Sequence, residues 1–194
     1  MSDSPTYASG SPSGAQYVVW IDGGPAGADT AGIHWSDHGF TVGDGVFETI
    51  KSVDGRPFAL EAHLDRLERS AAGLALTLPP RTTLTAAVHD VARRFHHGHG
   101  PGTIARVRLT VTAGPGPAGS ERGTTGPTLL ATACAMTLSR EPTGVVVAPW
   151  TRNENGALRG CQVDQLRRER GGTGTCKGTG RVEAIFANTR GGAV

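Results

Sequence analysis

The sequence predicts an α/β fold of the α+β kind, with strand segments on both sides of two helical segments. Residues 104–112 alternate apolar and polar side chains, which is typical of a half-buried strand. Leucine and alanine recur every three to four positions across 60–78, which predicts an amphipathic helix. The 194 residues, of which 37% are hydrophobic, are enough to build a buried core.

The elements follow from local signals. The pair Asp54-Gly55 marks a hairpin turn within 53–58, which leads into a short strand. Pro79-Pro80 is expected to stop the first helix, and Thr82 or Thr83 to cap a second one that runs through Phe95. Gly114 to Gly126 is expected to be a loop rich in glycine and proline. The other predicted strands are 17–21, the second half of 37–51, 128–138, 144–150 and 182–189.

Composition excludes several classes of protein. There is no run of 18 apolar residues, so no segment is expected to span a membrane. The first residues are polar and lack the basic and apolar parts of a secretory signal, so the expected location is the cytoplasm. The three cysteines form neither a disulfide framework nor a metal set. A net charge of +2 gives no electrostatic case for nucleic acid as a partner.

The histidine triple at positions 96, 97 and 99 is expected to lie in a glycine-rich loop. Its spacing lacks a carboxylate or cysteine partner, so a solvated loop is favoured over a metal site.

Two motifs stand out as candidates for chemistry. Residues 43–49 read Gly-Asp-Gly-Val-Phe-Glu-Thr, and residues 63–67 read His-Leu-Asp-Arg-Leu. Arg66 falls beside the apolar stripe of the predicted helix, where its guanidinium can hold an anion such as phosphate with two hydrogen bonds. Taken singly, the two motifs are better explained by an ordinary glycine turn and a solvated helix arginine, because isolated motifs of this kind often occur without the function.

Together, the order and spacing of the motifs resemble those of the class IV aminotransferases, the fold-type IV enzymes of pyridoxal phosphate (PLP). The resemblance covers residues 17–160 and 182–191. Within the family, the sequence looks closest to bacterial proteins called aminodeoxychorismate lyase or class IV aminotransferase. The further stretches that carry the resemblance are 37–39, 54–58, 106–114, 148–158 and 183–189.

The resemblance implies a fold of two α/β domains with PLP between them, and a homodimer. The smaller domain would be 16–138, after a disordered 1–15, and a linker at 139–143 would lead to 144–194, an incomplete start of the larger domain. Arg66 matches the arginine that binds the PLP phosphate. Substrate would be held by Arg108, with Arg106 as the weaker candidate on the same face and Phe47 lining the pocket. Surface ion pairs are the alternative role for the two strand arginines.

The chain departs from the family pattern at two places. The lysine that holds PLP as a Schiff base is expected just after Gly160, where the chain has Cys161, so no catalytic residue is assigned. The lysines of the chain are Lys51 and Lys177, neither of which is at that position. Val42 stands where many relatives carry tyrosine, which leaves one polar contact unassigned.

Residues 161–181 show no apolar periodicity. Back-translated with chosen codons and read one base over, they become a helix-like segment that opens with Val-Lys-Ser-Thr-Ser-Tyr. We hypothesise a one-base insertion near Gly160, compensated near Val182, which resequencing of the gene tests. One other interpretation is a flexible RNA-contacting segment, but the segment lacks aromatic residues for stacking. Another is a metal site at Cys161 and Cys176, but no paired ligands stand close to them in the sequence.

The expected activity is that of an aminodeoxychorismate lyase, which serves folate biosynthesis by forming 4-aminobenzoate and pyruvate. The first alternative is transfer of an amino group between an amino acid and a 2-oxo acid. The second is a non-catalytic remnant, because the lysine is missing.

Overall fold

The structure is a computed structural model that describes residues 17–28 and 31–138, together with the backbone of two further strands. Eight strands and three helices occur within this part of the chain. The strands are β1 (Val18–Ile21), β2 (Gly24–Ala26), β3 (Gly45–Val53), β4 (Arg56–Pro57), β5 (Ile104–Thr112), β6 (Thr128–Ala135), β7 (Gly144–Val147) and β8 (Val182–Ile185). The helices are α1 (His38–Thr41), α2 (Leu60–Gly73) and α3 (Arg81–His99).

Six of the strands form one antiparallel sheet in the order β2-β1-β6-β5-β3-β4. Its centre is the long pairing of β3 with β5, in which Glu48 lies opposite Leu109 and Lys51 opposite Arg106. Asp54 and Gly55 both have positive φ, which closes the hairpin between β3 and β4 as the sequence predicts. The mixture of an antiparallel sheet with helices confirms the α+β prediction.

The core lies between one face of this sheet and the helices α2 and α3. Strand residues such as Ile50 and Leu109 are completely buried there, as are Leu64 of α2 and Phe95 of α3. Each side chain of this size stabilises the fold by roughly 1.5–3 kcal/mol when it leaves water. The alternation expected along β5 is confirmed, because Ala105, Val107, Leu109 and Val111 are buried in this core.

The prediction of the end of the first helix was wrong. The helix ends at Gly73, well before the two prolines, because Ala75 turns into the left-handed region with φ of 50°. The amide of Leu76 donates to the carbonyl of Ala71, and that of Ala75 to Ala72, which is the hydrogen-bond pattern of a Schellman motif. The chain reverses at this motif before the proline pair is reached.

The predictions for the second helix also need correction at both ends. Pro80 is the N-cap residue, so neither Thr82 nor Thr83 caps the helix with its side chain. The helix runs on to His99, which places the three histidines in its last turns instead of in a loop. Gly100, at φ of 81°, ends the helix.

The glycine-rich segment 114–127 between β5 and β6 is a loop, as predicted, and is held by a buried polar cluster. The carboxylate of Asp37 accepts hydrogen bonds from the amide of Gly39 and the hydroxyls of Thr112 and Thr128. The buried His38 ring lies 3.1 Å from the carbonyl oxygen of Pro117, to which its Nε2 donates.

Strands β7 and β8 pair in parallel, from Gly144 opposite Val182 to Val147 opposite Ile185. The hypothesised out-of-frame segment 161–181 and the predicted linker at 139–143 lie outside the described residues. The division of the chain into 16–138 and 144–194 stays a prediction. Within the described part, no helix is both long and apolar enough to cross a membrane.

Candidate functional site

A completely buried carboxylate, that of Glu48, marks the helix-covered side of the sheet. Alternation along β3 turns Glu48 toward α2, between the buried residues Val46 and Ile50. Burying a charge without partners would cost several kcal/mol. The buried carboxylate of Glu48 therefore needs hydrogen-bond donors from the elements that pack against it.

Two residues of α2 supply these donors. Arg66 donates from Nε to Oε1 of Glu48 over 2.6 Å, and its Nη2 donates to Oε2. His63 lies one turn earlier, and its Nδ1 donates to Oε2 over 2.8 Å, because a carboxylate can only accept. The spacing of three residues puts both side chains on one helix face. We call Glu48, His63 and Arg66 the buried triad.

The triad leaves part of Arg66 available to a ligand. The hydrogen bond to Glu48 raises the pKa of Arg66, burial lowers it to a smaller extent, and the charge of Glu48 adds to the increase, so Arg66 stays cationic. Its side chain is 41% exposed, and Nη1 has no hydrogen-bond partner among the described residues. A guanidinium fixed along one edge and open along another suits an anion such as phosphate.

The other predicted residues lie on the opposite face of the sheet, which we call the open face. Phe47 points there because it neighbours Glu48 along the strand. The guanidinium carbon of Arg108 lies 3.7 Å from the centre of the Phe47 ring, a cation–π contact, and its Nε donates to the Thr110 hydroxyl at 3.3 Å. Phe47 and Arg108, both predicted to contact substrate, are thus in direct contact.

Arg106 lies on the same open face and is exposed, opposite Lys51 of β3 and Cys134 of β6. The structure therefore brings Phe47, Arg106 and Arg108 together and places Arg66 across the sheet from them. The sequence analysis missed Lys51 as a member of this face, although the period of two from Phe47 would have found it. It also missed the pairing of Glu48 with Arg66, which joins two separate motifs.

Other polar features of the described part lie apart from these residues. A cavity of about 520 Å³ is bounded by the β1–β2 turn, the α2–α3 connection and the loop 114–127, and none of the predicted site residues lines it. Arg122 of that loop is bonded through Nε to Asp44 over 2.6 Å. No group of three metal-binding side chains occurs in the described residues. Val42, the residue at the position where many relatives carry tyrosine, is the C-cap residue of α1.

Comparison with known proteins adds the relationship. The family model of amino-transferase class IV matches residues 45–191. The aminodeoxychorismate lyase of Bacillus subtilis is 37% identical over 82 residues, which are 40% of this chain and 26% of that enzyme. The chain thus spans well under half the length of this curated relative.

Two solved structures share the fold. A fold IV-transaminase from Curtobacterium pusillum superposes with a TM-score of 0.70 at 24% identity, covering 92% of this chain and 66% of that one. The 4-amino-4-deoxychorismate lyase from Pseudomonas aeruginosa gives a TM-score of 0.67 at 24% identity, covering 91% of this chain and 63% of that one. These two likenesses concern the fold alone.

Proposed function

The chain belongs to the class IV aminotransferase family. On this premise we propose that it acts as a PLP-dependent lyase, which splits 4-amino-4-deoxychorismate into 4-aminobenzoate and pyruvate. The family is PLP-dependent. When bound, PLP supplies an electron sink for the carbon that carries the amino group.

One observation carries the cofactor part of this proposal, namely the open edge of Arg66. The guanidinium is oriented by Glu48, stays cationic, and keeps Nη1 without a partner among the described residues. These properties fit a phosphate anchor, and Arg66 would hold the phosphate of PLP. The sequence has Cys161 where the family's Schiff-base lysine is expected, so the fit found among the described residues concerns the phosphate end of the cofactor alone.

The charge of the open face favours the lyase over an aminotransferase for small aliphatic amino acids. Aminodeoxychorismate carries two carboxylates, whereas alanine or a branched-chain amino acid carries one. Arg108, with its side chain set against Phe47, and Arg106, two residues away, present two guanidinium groups to one face. Each would bind one carboxylate of such a dianion.

Amino-group transfer is the second candidate, since the B. subtilis lyase and the aminotransferases share this family. A third is a binding protein without turnover, which the cysteine at position 161 favours. Assays for 4-aminobenzoate and for glutamate separate the three. Release of 4-aminobenzoate supports the lyase, and formation of glutamate supports the aminotransferase. If neither product forms, the binding protein is supported.

The phosphate anchor is tested separately by titrating the protein with PLP. Arg66→Gln should weaken binding by about tenfold or more, since it removes charge-assisted hydrogen bonds to the phosphate. Arg69→Gln is the matched control, because Arg69 lies exposed on the same helix, one turn along. Equal affinities of the two variants would contradict the assignment of the phosphate to Arg66.

A further inference from the structure

The open face of the sheet sets two cations directly against each other. Lys51 of β3 pairs with Arg106 of β5, and both side chains are exposed. Directly opposed residues of antiparallel strands have Cβ atoms only about 4.5–5.5 Å apart, where like charges are destabilising. Such a pair is stabilised when an anion binds between the two cations.

The surrounding strand residues strengthen this argument. Arg56 of β4 lies opposite Val53, two residues after Lys51, so it shares the open face, as does Arg108 of β5. Among the described strand residues of this face, none is an aspartate or glutamate. The face is therefore built to attract anions, and guanidinium groups bind phosphate with two parallel hydrogen bonds.

Lys51 adds a reactive group to this anion-binding face. It is the one lysine within the described residues, and the sequence contains only one other, Lys177. A lysine amine forms an imine with carbonyl compounds. An amine beside a phosphate-binding guanidinium matches a ligand that carries both an aldehyde and a phosphate.

We propose that Lys51 and Arg106 form a covalent site for phosphorylated aldehydes, distinct from the phosphate anchor at Arg66. The nitrogen of Lys51 adds to the aldehyde carbon, the carbonyl oxygen leaves as water, and a carbon–nitrogen double bond forms without oxidation or reduction. Arg106 holds the phosphate. Because Lys51 and Glu48 lie on opposite faces of β3, this site does not depend on the buried triad.

The test uses the full-length chain and PLP as the probe. After incubation, borohydride reduces any imine to a stable secondary amine, and peptide mass spectrometry maps the modified residue. We expect Lys51 to be modified at PLP concentrations about tenfold lower than Lys177 or the N-terminal amine, and about tenfold lower than pyridoxal requires, because pyridoxal lacks the phosphate.

Three variants complete the test. Lys51→Arg keeps the charge and should abolish modification at position 51. Arg106→Gln should remove the preference for PLP over pyridoxal. Arg66→Gln should leave modification of Lys51 intact even though it weakens binding at the triad, so the two proposals fail separately. Equal reaction of PLP and pyridoxal, or preferred modification of Lys177 or the N-terminus, would overturn the inference.

Discussion

The Nε of Arg66 donates to Oε1 of Glu48 over 2.6 Å, which joins helix α2 to the buried face of strand β3. The two residues are 18 positions apart in the chain and belong to separate sequence motifs. The contact both neutralises a buried carboxylate and orients a partly exposed guanidinium. We therefore expect both the stability of the fold and the anion binding proposed for Arg66 to depend on this pair.

Glu48→Gln should weaken both properties. The amide offers one acceptor oxygen and an NH2 group, and that group faces the donors of Arg66 and His63. Leaving buried donors unsatisfied costs about 1–3 kcal/mol, measurable by urea unfolding. PLP affinity should fall as well, because Arg66 loses its orientation. Glu121→Gln, at an exposed loop position, is the control. Unchanged stability would mean that the triad does not support the fold.

Ala75→Gly should stabilise the protein. Ala75 has φ of 50° at the C′ position of the Schellman motif, a conformation that costs an L-residue roughly 1–2 kcal/mol and glycine almost nothing. Part of the gain is lost to the greater freedom of glycine in the unfolded chain, which leaves a net increase of about 0.5–1 kcal/mol. Ala72→Gly, within the helix, should instead destabilise by about 1 kcal/mol. The diagnostic result in thermal unfolding is a higher midpoint temperature for Ala75→Gly and a lower one for Ala72→Gly.

Asp37→Asn should loosen the root of the loop 114–127. The buried carboxylate accepts three hydrogen bonds, whereas an asparagine side chain must turn donors toward the Thr112 and Thr128 hydroxyls. We expect a loss of about 1–3 kcal/mol. Amide hydrogen exchange should rise within the loop before it rises in α3. Exchange that increases uniformly along the chain would indicate global destabilisation instead.

Arg122→Gln should free the far side of the same loop. Arg122 holds Asp44 with Nε and Nη2 and also donates from Nη2 to the carbonyl of Leu74 at the end of α2. Because its side chain is 35% exposed, solvent screens the ion pair and the expected loss is below about 1 kcal/mol. Proteolysis within 115–126 is the sensitive measurement. Resistance equal to that of the unchanged protein would contradict the anchoring role.

The pH dependence of this anchor follows from the direction of the pKa shift. The hydrogen bond to Asp44 raises the pKa of Arg122 above its usual range, despite the opposing effect of burial. A raised pKa stabilises the fold at every pH below the unfolded value, and the contribution is lost only as the pH rises through the folded value. Arg122 therefore stays protonated between about pH 7 and pH 9. Over this range, the difference in free energy of unfolding between the unchanged protein and Arg122→Gln should stay constant. A steep fall there would contradict the assignment.

Local pattern accounts for much of the fold and for part of the site. Alternation of side chains along 104–112 predicts which face of β5 is buried, and so places Arg106 and Arg108 on one face. The end of α2 could not be predicted in this way. It is set by the left-handed turn at Ala75, and alanine gives no local sign of that conformation. The histidines at 96–99 are helical although glycines surround them.

By itself, the sequence determined the family motifs, the order of the strands and helices along the chain, and the identity of Arg66, Arg106, Arg108 and Phe47 as site candidates. Only the tertiary structure decided which of them lie together. Sheet register places Lys51 opposite Arg106, and packing of α2 on β3 places Arg66 on Glu48. The physical reason is that strand register and helix packing bring together residues that are far apart in the chain. These contacts pair buried charges and bury apolar surface, and a local sequence pattern contains no information about them.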